Sequence, residues 1–136
     1  YLSNLISKLA LGDRIHMLGY HQNAYRYLRD FDAFVLPSLT EGLPITILEA
    51  MQAEIPIVAT RVGEIQNLLD NGELGVLVMP NDPADLSSGL KRVYNDKITA
   101  NERARKARQK VLDNYGLEQM AMKYTILYQN LADKCT

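Results

Sequence analysis

Two carboxylates, Glu41 and Glu49, are separated by seven residues that include the run Gly42-Leu43-Pro44-Ile45-Thr46. Carboxylates accept hydrogen bonds from hydroxyl groups and repel phosphate. A helix N-terminus does the reverse, because its unpaired N–H groups and partial positive charge attract a phosphate. Pro44 suits a first helical position, where its missing N–H is no loss. Ile45, Leu48, Met51 and Ala53 then have the spacing of a buried helical face. The apolar run Ala33-Phe34-Val35-Leu36 reads as a buried strand, so Pro37 to Gly42 becomes a strand-to-helix loop. The expected arrangement is a strand, a glycine-containing loop and a bare helix N-terminus bracketed by two carboxylates. A phosphate flanked on both sides by hydroxyl-rich rings matches it, and a nucleotide sugar is such a ligand.

The rest of the chain supplies elements to hold this arrangement. Leu2, Leu5, Ile6 and Leu9 predict a helix over 1–11 closed by Gly12. Ile15-His16-Met17-Leu18 reads as a short strand ended by Gly19, and Asn23 as the cap of a helix containing Tyr27 and Leu28. Beyond the central motif, Ile57-Val58-Ala59-Thr60 reads as a strand. Gly63 opens a short helix through Ile65, Leu68 and Leu69, stopped by Asn71-Gly72. Gly75-Val76-Leu77-Val78 is a fourth strand, and Pro80-Asn81-Asp82-Pro83 is a strong turn. Three helices follow: one with Leu86, Leu90 and Val93 on one face, one over 100–115, and one over 117–134 with Met120, Tyr124, Leu127, Tyr128 and Leu131 in register. Short apolar strands alternating with helices predict an α/β fold, a Rossmann-like parallel sheet with helices on both faces. In such sheets ligands bind beyond the carboxyl ends of the strands. The loops at Gly19, at Glu41 and at Arg61-Val62-Gly63 each follow a strand and are expected to share that edge.

At 136 residues the chain reads as a single domain, and its first residue, Tyr1, suggests a piece of something longer. A formal net charge of −1 gives no electrostatic reason to expect nucleic acid as a partner. The single cysteine, Cys135, allows no internal disulfide and suits a reducing, cytoplasmic compartment. No apolar run approaches the roughly 18 residues that cross a bilayer.

The motif Pro37-Ser38-x-x-Glu41-Gly42-x-x, followed by Leu48-Glu49-Ala50-Met51, resembles the signature of the retaining glycosyltransferases called family 4, which have the GT-B fold. The resemblance extends over nearly the whole chain. It takes in Ile15 to Gly19, Phe31 to Ser38, Pro56 to Thr60, Gly75 to Val78 and Tyr115 to Glu118. It implies the carboxyl-terminal half of a GT-B enzyme, the half that binds the nucleotide-sugar donor. The amino-terminal acceptor domain would lie outside this chain, and the acceptor would be a polysaccharide, a lipid-linked sugar or a small molecule. By this resemblance Glu41 is the catalytic-site residue that contacts the donor sugar. Ser38 and the amides of Gly42, Leu43, Pro44, Ile45 and Thr46 surround the sugar and distal phosphate, with Pro44 contributing no N–H. Glu49 accepts from ribose hydroxyls, and Gly19, Tyr20 and His21 lie along the base. No metal or other cofactor is expected, since helix dipoles and basic side chains can neutralise the diphosphate. The family's basic pair lies upstream of this region, so the chain alone is expected to be inactive.

Three departures from the family pattern stand out. Glu54 occupies a position where glycine would take a left-handed cap at low cost. Glu64 follows Gly63 where a second glycine is usual, and Gln66-Asn67 replaces a proline-glutamate pair. Asp30-Phe31-Asp32 precedes its strand, at the wrong edge for metal-nucleotide binding, and His16 and His21 are too isolated for a metal site. The basic run Arg103 to Lys110 reads as a solvated face, with anionic membrane lipid at the inner face as a second reading. The stripe from Met120 to Tyr128 reads as core or as an interface with the other half. Two other functions fit the same residues: a nucleotide-sugar-binding module without catalysis, and a sugar-nucleotide epimerase. The epimerase would need acid–base groups beyond Glu41, and none stands out.

Overall fold

The computed structural model describes residues 1–133. The expected helix end at Lys134 and the cysteine Cys135 lie outside the described residues. Three parallel strands, β1 (Phe34–Leu36), β2 (Ile57–Thr60) and β3 (Val76–Val78), form a sheet in the order β1-β2-β3. Phe34 pairs with Ile57, and Val58 with Val76. The helices are α1 (Leu2–Lys8), α2 (Ile45–Gln52), α3 (Ile65–Leu68), α4 (Pro83–Asn95), α5 (Lys97–Asn114) and α6 (Leu117–Asp133). Two 3-10 helices, Ala24–Asp30 and Asp70–Gly72, connect them.

Every residue of β2 is buried, as a strand covered on both faces must be. Its side chains alternate between two cores. Ile57 and Ala59 pack with Ile47 and Met51 of α2, Ile65 and Leu68 of α3, and Ala107 and Val111 of α5. Val58 packs on the other side with Val76, Val78, Val93 of α4 and Ala100. The Rossmann-like expectation of helices on both faces therefore holds. Burial of Ile47 and Met51 contributes on the order of 1.5–3 kcal/mol each. Gly89, which the periodicity of α4 does not single out, lets that helix lie close on the sheet. A Cβ there would sit 2.7 Å from Val78 Cγ1 and 3.1 Å from Val58 Cγ1.

Several expected boundaries are displaced. The run Ile15 to Leu18 forms no strand: its apolar side chains are exposed, and it pairs with no strand among the described residues. An extended segment gains little without a neighbour for its N–H and C=O groups, and β1 pairs only with β2. The first helix ends at Lys8, not at Gly12, because Ala10 takes a left-handed φ of 51° and the N–H groups of Ala10 and Leu11 bond to Ser7 O and Ile6 O. Asn23 is itself left-handed and caps nothing with its side chain; a 3-10 helix follows it. On α2 the buried stripe is Ile47, Ala50 and Met51, while Ile45 is exposed and Leu48 and Ala53 are half-buried. Both stripes have helical spacing, and the one that runs on into buried Ile55 wins. Asp82 caps α4, accepting from the N–H groups of Ala84 and Asp85. Asp96 closes α4 and caps α5 through the Thr99 N–H, so α5 starts three residues earlier than its apolar pattern. Bonds from the Thr99 backbone and side chain hold Asp96 below its ordinary carboxylate range. Its contribution to stability is present above that range and fades as pH falls through the lowered value.

The face of α5 carrying Ala100, Ala104, Ala107 and Val111 is buried. Its cations are partly engaged within the chain. Arg108 meets Glu54 at 3.3 Å, and Lys110 donates to Asp70 and to the carbonyls of Asn67 and Leu68. The apolar stripe of α6 is not core: no residue of this helix is buried, and Met120, Tyr124, Leu127 and Tyr128 are all exposed. No helix of the described residues is long and apolar enough to cross a membrane.

Glu54 does adopt the left-handed geometry, with φ 60°. It ends α2 in a double-bonded cap: its N–H bonds to Met51 O, and the N–H of Ile55 to Ala50 O. Replacing it by alanine or glycine removes the same ion pairs, but only glycine relieves the backbone. Glu54→Gly is therefore expected to exceed Glu54→Ala in stability by about 1 kcal/mol in urea unfolding.

Candidate functional site

Because the strands are parallel, the loops after β1, β2 and β3 all emerge at one edge of the sheet. Two of them interlock. Thr60, the last residue of β2, is buried, and its hydroxyl donates to Ser38 O at 2.6 Å. The Ser38 hydroxyl donates in turn to Glu41 Oε1 at 2.6 Å, leaving Oε2 without a partner among the described residues. From the second loop, the N–H of Glu64 donates to Gly42 O at 3.1 Å. Gly63 passes so close that a Cβ on it would lie 1.9 Å from Glu41 O, and its φ of 51° is left-handed as well. Only glycine fits there. The loop carrying Glu41 is thus seated by β2 and the turn after it.

Beyond that loop, Pro44 is the buried N-cap of α2 rather than its first helical residue, with ψ of 110° and its carbonyl accepting from Ile47 N–H at 3.1 Å. No side chain caps this end, and the N–H groups of Ile45 and Thr46 have no hydrogen-bond partner among the described residues. Gly42, Leu43, Ile45 and Thr46 are exposed. The structure thus brings Ser38, Glu41 and the Gly42–Thr46 run together at the carboxyl edge. Glu49, half-buried, opens instead onto a cleft of about 320 Å³ lined with Tyr25, Arg26, Arg29, Gln52 and Ala53. The sequence reading did not single out Tyr25 or Arg26; they stand on a 3-10 helix that lacks a periodic signal.

Gly19, Tyr20 and His21 are exposed and make no hydrogen bond among the described residues. No strand precedes them, so the sheet does not carry them to the shared edge as the apolar run Ile15 to Leu18 suggests. The carboxylate of Glu64 turns to the side chain of Asn67, 2.9 Å away, and does not cap α3. Arg61 is exposed at this edge with no ion pair among the described residues. Asp32 lies ahead of β1, paired at 3.6 Å with Lys97 at the opposite edge. A cavity of about 760 Å³ also opens at that opposite edge, between Phe31, Pro56, Tyr94 and Ala100, and includes neither Glu41 nor Glu49.

Gly63→Ala is expected to cost about 2–4 kcal/mol, from the contact with Glu41 O and the strained φ together. Gly19→Ala shares the positive φ but has open space around it. It should cost about 1 kcal/mol, and urea unfolding of the two variants compares them.

The family model described as glycosyl transferases group 1 matches residues 1–110. A lipopolysaccharide core biosynthesis mannosyltransferase, LpsB, of Rhizobium meliloti is 31% identical over 96% of this chain and 38% of its own length. The UDP-Gal:alpha-D-GlcNAc-diphosphoundecaprenol alpha-1,3-galactosyltransferase of Escherichia coli is 30% identical over 92% of the chain and 32% of its own length. Among solved structures, a sucrose-phosphate synthase from Thermosynechococcus elongatus superimposes with a TM-score of 0.88 at 27% identity, covering 98% of this chain and 34% of that one. Anabaena Alr3699/HepE, in complex with UDP, has the same fold, with a TM-score of 0.85 at 22% identity over 93% of this chain and 36% of its own. The chain therefore spans about a third of the length of these relatives.

Proposed function

The chain belongs to the glycosyl transferases group 1 family, and from that premise we propose that it is the donor-binding half of a retaining glycosyltransferase of the GT-B type. The observation that carries the proposal is the carboxyl edge. There a carboxylate oriented by Ser38 stands beside an uncapped helix N-terminus, with a second carboxylate one turn inside the same helix.

In this reading the distal phosphate of a nucleotide diphosphate sugar sits on the free amides at the start of α2. The sugar hydroxyls donate to Glu41, and the ribose hydroxyls to Glu49. Tyr25 and Arg26 flank Glu49 and take the side of the nucleoside, with Gly19 to His21 further along it. As the glycosidic bond to the diphosphate breaks, negative charge grows on the departing oxygen. The amides and dipole of α2 stabilise that charge where it develops. Arg61, at the same edge, adds a positive side chain. No metal enters this scheme.

The acceptor, a polysaccharide or lipid-linked sugar, would be held by a separate amino-terminal domain packed on the exposed face of α6. Transfer needs both halves, so the chain by itself binds donor without turning it over. UDP is the first nucleotide to test, because it is named in the E. coli relative and in the Anabaena complex.

Calorimetric titration with UDP, GDP and ADP, and with their sugar conjugates, tests the reading. One diphosphate is expected to bind selectively. Glu49→Ala should weaken it about tenfold, the worth of a hydrogen bond to a charged group. Equal affinity for all three, unchanged by Glu49→Ala, would contradict the assignment.

A further inference from the structure

Thr60 is the buried polar side chain of the described residues, set among Ile57, Val58 and Ala59 on a strand with no exposed position. Valine has nearly the same shape and an equal preference for strands, and it buries without a polar group to satisfy. The hydroxyl therefore calls for a structural reason, and its bonds supply one. It has one proton. The carbonyl of Ser38 lies 2.6 Å away and that of Leu36 3.4 Å away, so the proton goes to Ser38. Ser38 then stands with its carbonyl tied to β2 and its hydroxyl committed to Glu41 Oε1.

We propose that Thr60 is a positioning residue for the Glu41 carboxylate, acting through Ser38, and thereby determines how the site engages the sugar part of its donor. This rests on the donor-site reading above. Thr60 touches no ligand itself. It holds the backbone of Ser38, Ser38 holds Oε1, and the constraint leaves Oε2 as the oxygen aimed outward at a sugar hydroxyl. Gly63 closes the remaining freedom by packing against the carbonyl of Glu41. Two short charge- or backbone-directed bonds in series thus connect a buried strand to a half-buried carboxylate. The nucleotide end of the site, at α2 and Glu49, does not pass through this chain of contacts. The effect should fall on the sugar and spare the nucleotide.

The test compares Thr60→Val, Thr60→Ser and Ser38→Ala with the unsubstituted chain, measuring affinity for a nucleotide diphosphate and for its sugar conjugate. Thermal melts establish that each variant is folded. The unsubstituted chain should bind the conjugate more tightly than the bare diphosphate. Thr60→Val and Ser38→Ala should remove most of that increment, a loss of about tenfold in conjugate affinity, and Thr60→Val, which touches no ligand, should leave diphosphate affinity unchanged. Thr60→Ser, which keeps the hydroxyl, should restore the increment even if it melts at a lower temperature than Thr60→Val. That ordering separates positioning from stability. An increment that survives Thr60→Val overturns the role of Thr60 and leaves the donor site standing. Equal loss of diphosphate and conjugate in Thr60→Val also overturns it, since that is general disruption. Absence of any diphosphate binding by the unsubstituted chain overturns the donor-site reading and this proposal with it.

Discussion

The site depends on a close approach between two loops that leave neighbouring parallel strands. Gly63 lies against the carbonyl of Glu41 at a distance no Cβ would permit, and the hydroxyl of Thr60 draws in the carbonyl of Ser38. These contacts fix a loop that would otherwise be tethered only at β1 and α2. The carboxylate of Glu41 takes its position from them, while the start of α2 is seated separately by the burial of Ile47, Ala50 and Met51. The parallel sheet makes the approach possible, since it sends successive loops to the same side.

Much of this was legible in the sequence, and for physical reasons. Strands packed into a sheet read as short apolar runs, so Phe34–Leu36, Ile57–Thr60 and Val76–Val78 were found near their true limits, although Phe34–Leu36, expected to be buried, is an edge strand and only half-buried. Turn residues with strong backbone preferences placed the start of α4 at Pro83. The left-handed conformation at Glu54 was legible only through the family resemblance, which puts a glycine at that helix end. Other features depend on tertiary context. Ile15 to Leu18 has the composition of a strand, but a strand exists only with a paired neighbour. On α2, two apolar stripes fit the helical period equally, and the sheet beneath selects Ile47, Ala50 and Met51. Within the site, the two glutamates and the glycine between them were visible as residue types at a spacing. The Thr60–Ser38–Glu41 connection was not, because it spans two strands whose pairing the local sequence does not encode.

The surfaces away from the site divide by their partners. The basic run on α5 docks that helix, with Arg108 and Lys110 turned to Glu54 and Asp70. Those two cations serve the fold first and are less available to a membrane surface. The apolar stripe of α6 has no such partner among the described residues: Tyr124 and Tyr128 meet each other in a tilted pair, 6.2 Å between ring centroids, on an exposed helix. In the proposed two-domain reading, this stripe is the surface on which the acceptor half packs.

The most direct test of the central claim is where a donor touches the chain. Backbone amide resonances of the isotope-labelled chain, followed during titration with UDP-glucose, give that location residue by residue. The account predicts that the amides of Gly42, Leu43, Ile45 and Thr46 move together with the amide of Glu49, while Tyr94 and Lys97 at the opposite edge stay in place. Shifts confined to the cavity around Phe31, Tyr94 and Ala100 would contradict it, and would move the ligand to the amino edge of the sheet.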